Sequence, residues 1–215
     1  MPGINLKLAD EFAADYDKSI LKNNWNGPKV IFDLVKSHLT PNSKILDLGI
    51  GTGESSIRFQ NRGCKVTGID GSQEMLKQCS AKQIGKKLIL HNLETTPFLL
   101  EKNSFDAVIS NGVFHLIHPL KPIVGEVKRI IKPNGVFAFT YENSNNISDY
   151  TEIEKGIWEM KTKSGVFTYK HSNKFILNLL NENEFEIKKQ KLFLAFKNTA
   201  PVSYTHLTLP TNREV

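Results

Sequence analysis

Residues 45–53 read Ile45-Leu46-Asp47-Leu48-Gly49-Ile50-Gly51-Thr52-Gly53, an apolar run that ends in three glycines set two apart. The run has the length of a buried strand, and the glycines let the backbone take positive φ and approach a ligand where a side chain would block it. A helix follows, ending near Asn61, so free amide N–H groups at its start are expected to face a ligand at the carboxyl edge of the sheet. A tight strand-to-helix turn that binds nothing would look the same. A dinucleotide is the other reading of the turn. Its fingerprint, counted from Gly49, ends on a small residue, and here that position is Glu54, which would crowd the helix and set negative charge beside a pyrophosphate.

Outward from this turn the chain alternates β-branched or aromatic runs with amphipathic segments, the pattern of βαβ units and a mainly parallel sheet. A helix follows Asn26-Gly27-Pro28, with Val30, Ile31, Leu34, Val35 and Leu39 on one face. Strands are expected over 44–48, 65–69, 87–91, 105–110 and 136–141. Ser72 caps a helix whose Met75, Leu76 and Cys79 share a face. Leu120, Ile123, Val124, Val127, Ile130 and Ile131 stripe the clearest helix, which Pro133-Asn134-Gly135 stops. The polar stretch 143–164 reads as a substrate-side insertion with a helix around 150–160. Ser172 caps a late helix that turns Phe175, Ile176, Leu179 and Leu180 inward, and 185–196 reads as a late strand.

Asp70 closes the second strand and precedes Gly71. A carboxylate there can accept hydrogen bonds from both hydroxyls of a ribose, and it stands at the expected distance after the glycine turn. The plain alternative is a turn or cap residue, since Asp before Gly is common at turns. Asp47 lies inside its strand, where it is expected to hold backbone amides of the loop and to matter for stability.

A chain of 215 residues, 40% hydrophobic and 23% charged, fits one ordinary globular domain. The first residues carry Asp10, Glu11, Asp15 and Asp17, unlike a secretory signal, and the apolar runs are too short to cross a bilayer, so a cytoplasmic protein without a membrane partner is the simplest expectation. Cys64 and Cys79 lack metal-ligand spacing and read as free thiols. The net charge of +6 is spread along the chain. Only Lys188, Lys189 and Lys191 cluster, as on an edge strand, which argues against a nucleic-acid partner.

Four stretches together, Asp47 to Gly53, Asp70-Gly71-Ser72, His91-Asn92-Leu93-Glu94 and Phe105 to Asn111, resemble the successive motifs of class I S-adenosylmethionine-dependent methyltransferases. The likeness runs from about Phe12 to Phe196. It implies a Rossmann-like, doubly wound, mostly parallel seven-stranded sheet whose last strand is antiparallel. It implies S-adenosyl-L-methionine as cofactor, held by Asp47, Gly49, Gly51, Gly53, Asp70, Gly71, Asn92, Leu93 and Asn111. The glycine-turn donors suit the methionine carboxylate, Asn92 and Leu93 would flank the adenine, and the backbone near Asn111 and Gly112 would line the methionine side. Where the family usually has an acidic residue this chain has Asn92, whose amide still gives and receives hydrogen bonds. The domain expectation is 1–201, with an N-terminal arm and helix over 1–40, a cofactor-binding core over 41–142 and a substrate-side insertion and C-terminal strand over 143–201. Residues 202–215 do not look like the family. They resemble a translated sequencing adapter and are expected to be a non-native tail, missing or replacing the family's closing strand.

Displacement at a sulfonium methyl group is in-line, so positioning and exclusion of water carry much of the catalysis and a general base is optional. No catalytic residue is assigned: His115 is a candidate base, and its plainer reading is a histidine that packs neutrally or lines the pocket. His118, Tyr16, Trp25, Tyr141 and Glu142 are further residues near the expected pocket. His115 and His118 sit three apart without a third ligand, so no metal is expected. Enzymes of this fold that methylate nucleobase amines carry two prolines after strand four. Here the residues are Asn111-Gly112-Val113-Phe114, which favours a small-molecule acceptor. Among small-molecule branches the chain resembles the type 11 or type 12 methyltransferases, and Tyr169-Lys170-His171-Ser172 is similar to predicted methyltransferases of the Williams–Beuren region group. A non-catalytic cofactor-binding protein, or a methyltransferase of RNA or protein, is the alternative.

Overall fold

The central strand β1, Lys44–Leu48, divides the core. Leu46 and Leu48 point into one apolar layer, while Ile45 joins the other, as successive side chains of a strand must. The computed structural model describes residues 3–196, together with the backbone of 203–210. Around β1 lie β2 (Lys65–Asp70), β3 (Lys87–Leu90), β4 (Phe105–Ser110) and β5 (Ile131–Glu142), all parallel, then β10 (Ser203–Pro210) and β9 (Phe185–Phe193). The sheet order is β3-β2-β1-β4-β5-β10-β9, and β10 runs antiparallel to both its neighbours. This is the doubly wound seven-stranded sheet the motifs imply. Its antiparallel strand falls within the tail, and residues 202 and 211–215 lie outside the described residues.

Helices α2 (Gly27–Val35), α3 (Ile57–Asn61) and α4 (Gln73–Ala81) cover one face, where Ile31, Leu34, Phe59 and Cys79 meet Ile45, Val66, Ala107 and Ala138. Helices α5 (Lys121–Ile130) and α6 (Asn173–Glu182) cover the other, where Ile123, Val127, Ile176 and Leu180 meet Leu46, Val108, Phe137 and Phe139. Full burial of a valine, leucine, isoleucine or phenylalanine side chain among them is worth about 1.5–3 kcal/mol. Both cysteines are free and buried. No described helix is long and apolar enough to cross a membrane.

Several elements differ from expectation. The N-terminal arm is a 21-residue helix, α1 (Gly3–Asn23), whose Leu6, Ala9, Ala13, Tyr16 and Ile20 follow the spacing of a helical stripe. The helix expected around 150–160 is a hairpin, β6 (Thr151–Glu154) and β7 (Ile157–Lys161), which β8 (Phe167–His171) extends into a separate three-stranded antiparallel sheet. Gly156 decides this: its φ of +84° makes the turn, and its amide and carbonyl bond the Glu152 carboxylate at 2.9 Å and the Ser172 amide at 2.8 Å. Strand β5 begins at Ile131 rather than 136, because Ile131 already pairs with Phe105 across an irregularity, while Asn134 takes the left-handed turn at φ +61°. Finally, β9 stops at Phe193, short of 196.

Candidate functional site

The order of the sheet reverses at β1, whose neighbours β2 and β4 lead the chain in opposite directions, and such a reversal opens a crevice at the carboxyl ends of the strands. A cleft of about 680 Å³ lies there, with Gly49, Gly51, Asp70, Asn111, Thr140 and Glu142 from the strand ends and Phe12 and Tyr16 from α1 among its walls. Helix α1 is tied across it. Asn5, 4% exposed, donates to the Phe167 carbonyl at 2.9 Å and accepts the Phe167 amide at 2.9 Å, joining α1 to β8. Asp10 accepts the Ser72 hydroxyl at 2.6 Å and the Glu74 amide at 3.1 Å, as a second cap on α4. Asp17 accepts the Thr52 hydroxyl at 2.5 Å and Lys82 at 2.7 Å.

All three glycines of the turn have positive φ, +74° at Gly49, +54° at Gly51 and +93° at Gly53. A Cβ at Gly49 would strike Val113, and one at Gly53 would lie 2.8 Å from Ile84. At Gly51 nothing stands within 4 Å of that position, so bare backbone faces the cleft. The glycine amides expected to be free are taken within the protein. Gly49 and Ile50 both donate to the Ile69 carbonyl, at 2.8 and 3.0 Å, Gly53 donates to Ile50 at 2.9 Å, and Gly51 donates to Asp70 Oδ2 at 2.8 Å. Helix α3 also starts later than the motif implies, at Ile57, because the loop closes first on its own carbonyls.

The Asp70 carboxylate, 6% exposed, also accepts the Ser72 amide at 2.8 Å through Oδ1. Burial raises its pKa, against the backbone amides of Ser72, Gly51 and Gly71. Asp47 lies beneath the turn, outside the cleft, and its partner is the Ser56 hydroxyl at 2.7 Å rather than the loop amides expected. Burial lifts its carboxyl to about 7, with Ser56 opposing and Asp70 adding. Glu54, the residue that interrupts the dinucleotide fingerprint, pairs with Lys82 at 3.0 Å. The Tyr16 hydroxyl is raised by burial first and then by the carboxylates of Asp70, Asp17, Glu54 and Asp47. Of these four carboxylates only Asp70 lines the cleft; Asp17 and Glu54 share Lys82, and Asp47 lies beneath the turn.

Beyond strand β4, Asn111 donates to Ser55 Oγ at 2.8 Å and accepts Thr140 Oγ1 at 3.2 Å, and Thr140 in turn accepts the Gly112 amide at 2.7 Å. This network fixes the strand-four turn against the glycine turn. His115, in the short turn Phe114–Leu116, lines the cleft with Trp25, Tyr141 and Glu142. His118 does not; it stacks on Tyr169 at 5.4 Å and meets Glu154 at 3.3 Å. Among the residues matched to the family's motifs, Gly49, Gly51, Asp70 and Asn111 line the cleft, whereas Asp47, Gly53, Gly71, Asn92 and Leu93 do not. Leu6 of α1 packs on Gly71, Asn92 Oδ1 accepts the Glu94 amide at 3.1 Å, and Leu93 is buried at 2% exposure. Helix α1 supplies a wall that no motif announces, although its apolar stripe is legible. Val166 and Phe193 also reach the cleft from segments with no motif.

Residues 46–139 match the family model described as a methyltransferase domain. A malonyl-acyl-carrier-protein O-methyltransferase of Enterobacter lignolyticus is 28% identical over 134 residues, 62% of this chain and 49% of that protein. The chain thus spans about half the length of this curated relative. An uncharacterised protein of Methanocaldococcus jannaschii is 30% identical over 189 residues, covering 87% of this chain and 69% of its own. In fold, the 1,6-didemethyltoxoflavin-N1-methyltransferase of Burkholderia thailandensis superposes with a TM-score of 0.73 at 16% identity, over 95% of this chain and 88% of that one. Matched from the strand that carries its glycine turn to its fifth strand, the chain belongs to the S-adenosylmethionine-dependent methyltransferases.

Proposed function

We propose that this chain transfers a methyl group from S-adenosylmethionine to a small molecule. The observation that carries the reading is the cleft itself, where the bare backbone of Gly51 and the carboxylate of Asp70 share a wall at the point where the sheet order reverses. The cofactor supplies an electrophilic methyl group on a positively charged sulfonium. The described lining residues include the carboxylates Glu11, Asp70 and Glu142 and no lysine or arginine, a balance that favours that cation. Asp70 is the acceptor for ribose hydroxyls, and the backbone at Asn111 and Gly112 is held for the methionine side by Thr140. Asn92 and Leu93 serve the adenine only where Leu6 yields to it.

A small acceptor fits the enclosure. Helix α1 roofs a cleft of about 680 Å³, and a roof that excludes water and fixes the acceptor supplies much of the rate for an in-line displacement. His115 stands on the wall as the group that can take a proton where the acceptor must lose one. The Burkholderia enzyme holds 1,6-didemethyltoxoflavin together with S-adenosylhomocysteine, and an acceptor of that kind is consistent with this substrate class. Incubating the protein with methyl-labelled S-adenosylmethionine and the small-molecule fraction of a cell extract should yield a labelled metabolite by mass spectrometry. Label that stays only in unchanged cofactor would instead mark a binding module, and label found only in RNA or protein would move the acceptor to those classes.

A further inference from the structure

The cleft walls differ in charge from the rest of the chain. The protein carries a net +6, yet among the described residues that line the cleft there are three carboxylates, Glu11, Asp70 and Glu142, and no lysine or arginine. Two of the three carboxylates are committed. Glu11 pairs with Lys7 at 3.8 Å, and Asp70 holds the Gly51 and Ser72 amides. Glu142, the last residue of β5, is different: half-buried in the wall, it has no ion pair among the described residues. Lys170 is close enough to feel it, but the Lys170 ammonium donates to the Asn145 and Asn146 carbonyls at 2.9 and 2.7 Å and lies 4.5 Å from the Tyr150 ring centre.

An uncommitted carboxylate in a cleft whose walls also include Phe12, Leu116, Val166 and Phe193 sets the charge of what can enter. We infer that the acceptor is a neutral or cationic molecule with an apolar body, anchored by a hydrogen-bond donor on Glu142, and that carboxylate and phosphate acceptors are rejected. An anion there would meet Glu142 with no lysine or arginine among the described lining residues to pair with, whereas an amine or hydroxyl gains a charge-assisted hydrogen bond. The inference rests on the methyl-transfer reading, and it separates this chain from any relative whose acceptor is a free carboxylate.

Three probes that share one ring test it: tryptamine, tryptophol and indole-3-acetate, titrated calorimetrically into protein saturated with S-adenosylhomocysteine. Tryptamine and tryptophol should bind at least tenfold more tightly than indole-3-acetate. Glu142→Gln should reduce that gap to about threefold or less, and Glu142→Asp should keep it. S-adenosylhomocysteine affinity, measured first on each protein, reports whether the cofactor side is intact. Indole-3-acetate binding as well as tryptamine, no binding of tryptamine, or a preference that survives Glu142→Gln would overturn the inference while leaving methyl transfer standing. Failure of S-adenosylhomocysteine to bind the unsubstituted protein would instead remove the reading on which it rests.

Discussion

Asp70 Oδ2 accepts the Gly51 amide at 2.8 Å, so the carboxylate at the end of one strand sets the shape of the turn at the end of its neighbour. Its other oxygen holds the Ser72 amide at the head of α4. One side chain therefore couples the glycine turn, the following helix and the cleft.

This coupling gives Asp70→Ala two effects. Loss of the ribose acceptor should weaken cofactor binding by roughly ten- to a hundredfold, since a hydrogen bond to a charged group is worth about 1.5–3 kcal/mol. The two orphaned amides should also lower the melting temperature of the unliganded protein, which differs from the purely ligand-facing role that the position of Asp70 predicts. Isothermal titration and thermal melts on the same preparation separate the two, and cofactor affinity within twofold of the unsubstituted protein would remove the ribose assignment.

Gly49 and Gly51 should fail differently when replaced by alanine. Both need positive φ, which costs an L-residue about 1–2 kcal/mol. At Gly49 the added methyl also strikes Val113, and overpacking adds about 1–3 kcal/mol. Gly51→Ala should mainly lose cofactor affinity, because its methyl enters open cleft, while Gly49→Ala should mainly lose thermal stability. Equal melting temperatures for the two variants would contradict this division.

The burial of Asp47 predicts a pH dependence. Its carboxyl titrates near 7 instead of 3.8, so the folded protein holds this proton more tightly than the unfolded chain does. The stability this group contributes is thus full below about 3.8 and is lost as pH rises through about 7. Asp47→Asn keeps an acceptor for Ser56 and removes the titration. The melting temperature of the variant relative to the unsubstituted protein should therefore rise by several degrees between about pH 4.5 and about pH 8. A difference that is flat with pH, or falls, would show that Asp47 is not the buried titrating group.

Much of this was legible in the residues. The glycine turn, the strand Lys44–Leu48 and the Ser72 and Ser172 caps follow from local chemistry, and the caps are made by Oγ to the Met75 and Phe175 amides, each at 3.1 Å. What escaped was set by contacts distant in sequence. The partner of Asp47 is a hydroxyl nine residues on, and the Gly49 and Gly51 amides are taken up by β2. The hairpin over 151–161 carries enough polar residues to pass for an exposed helix until Gly156 is given its turn. Helix α1 has its stripe in plain view, but its acidic face, Asp10 and Asp17, gains meaning only once Ser72, Thr52 and Lys82 are brought beneath it.

Deleting 202–215 addresses the tail. Strand β10 pairs with β5 along six residues, from Ser203 to Thr208, and bridges it to β9, so its removal bares a long parallel-sheet edge. The truncated protein should melt at a lower temperature and self-associate on gel filtration. Its cofactor affinity should stay within a few-fold, because the glycine turn and Asp70 lie on β1 and β2, across the sheet. A truncated protein of unchanged melting temperature would show that this strand contributes nothing to the fold.

The most direct measurement is a calorimetric titration of the unsubstituted protein with S-adenosylmethionine, S-adenosylhomocysteine and NADH. The Asp70 carboxylate on the cleft wall, and Glu54 at the position where the dinucleotide fingerprint needs a small residue, predict that the first two bind at one site per chain and that NADH does not. Saturable binding of NADH, with no response to S-adenosylmethionine or S-adenosylhomocysteine, would contradict the account at its centre.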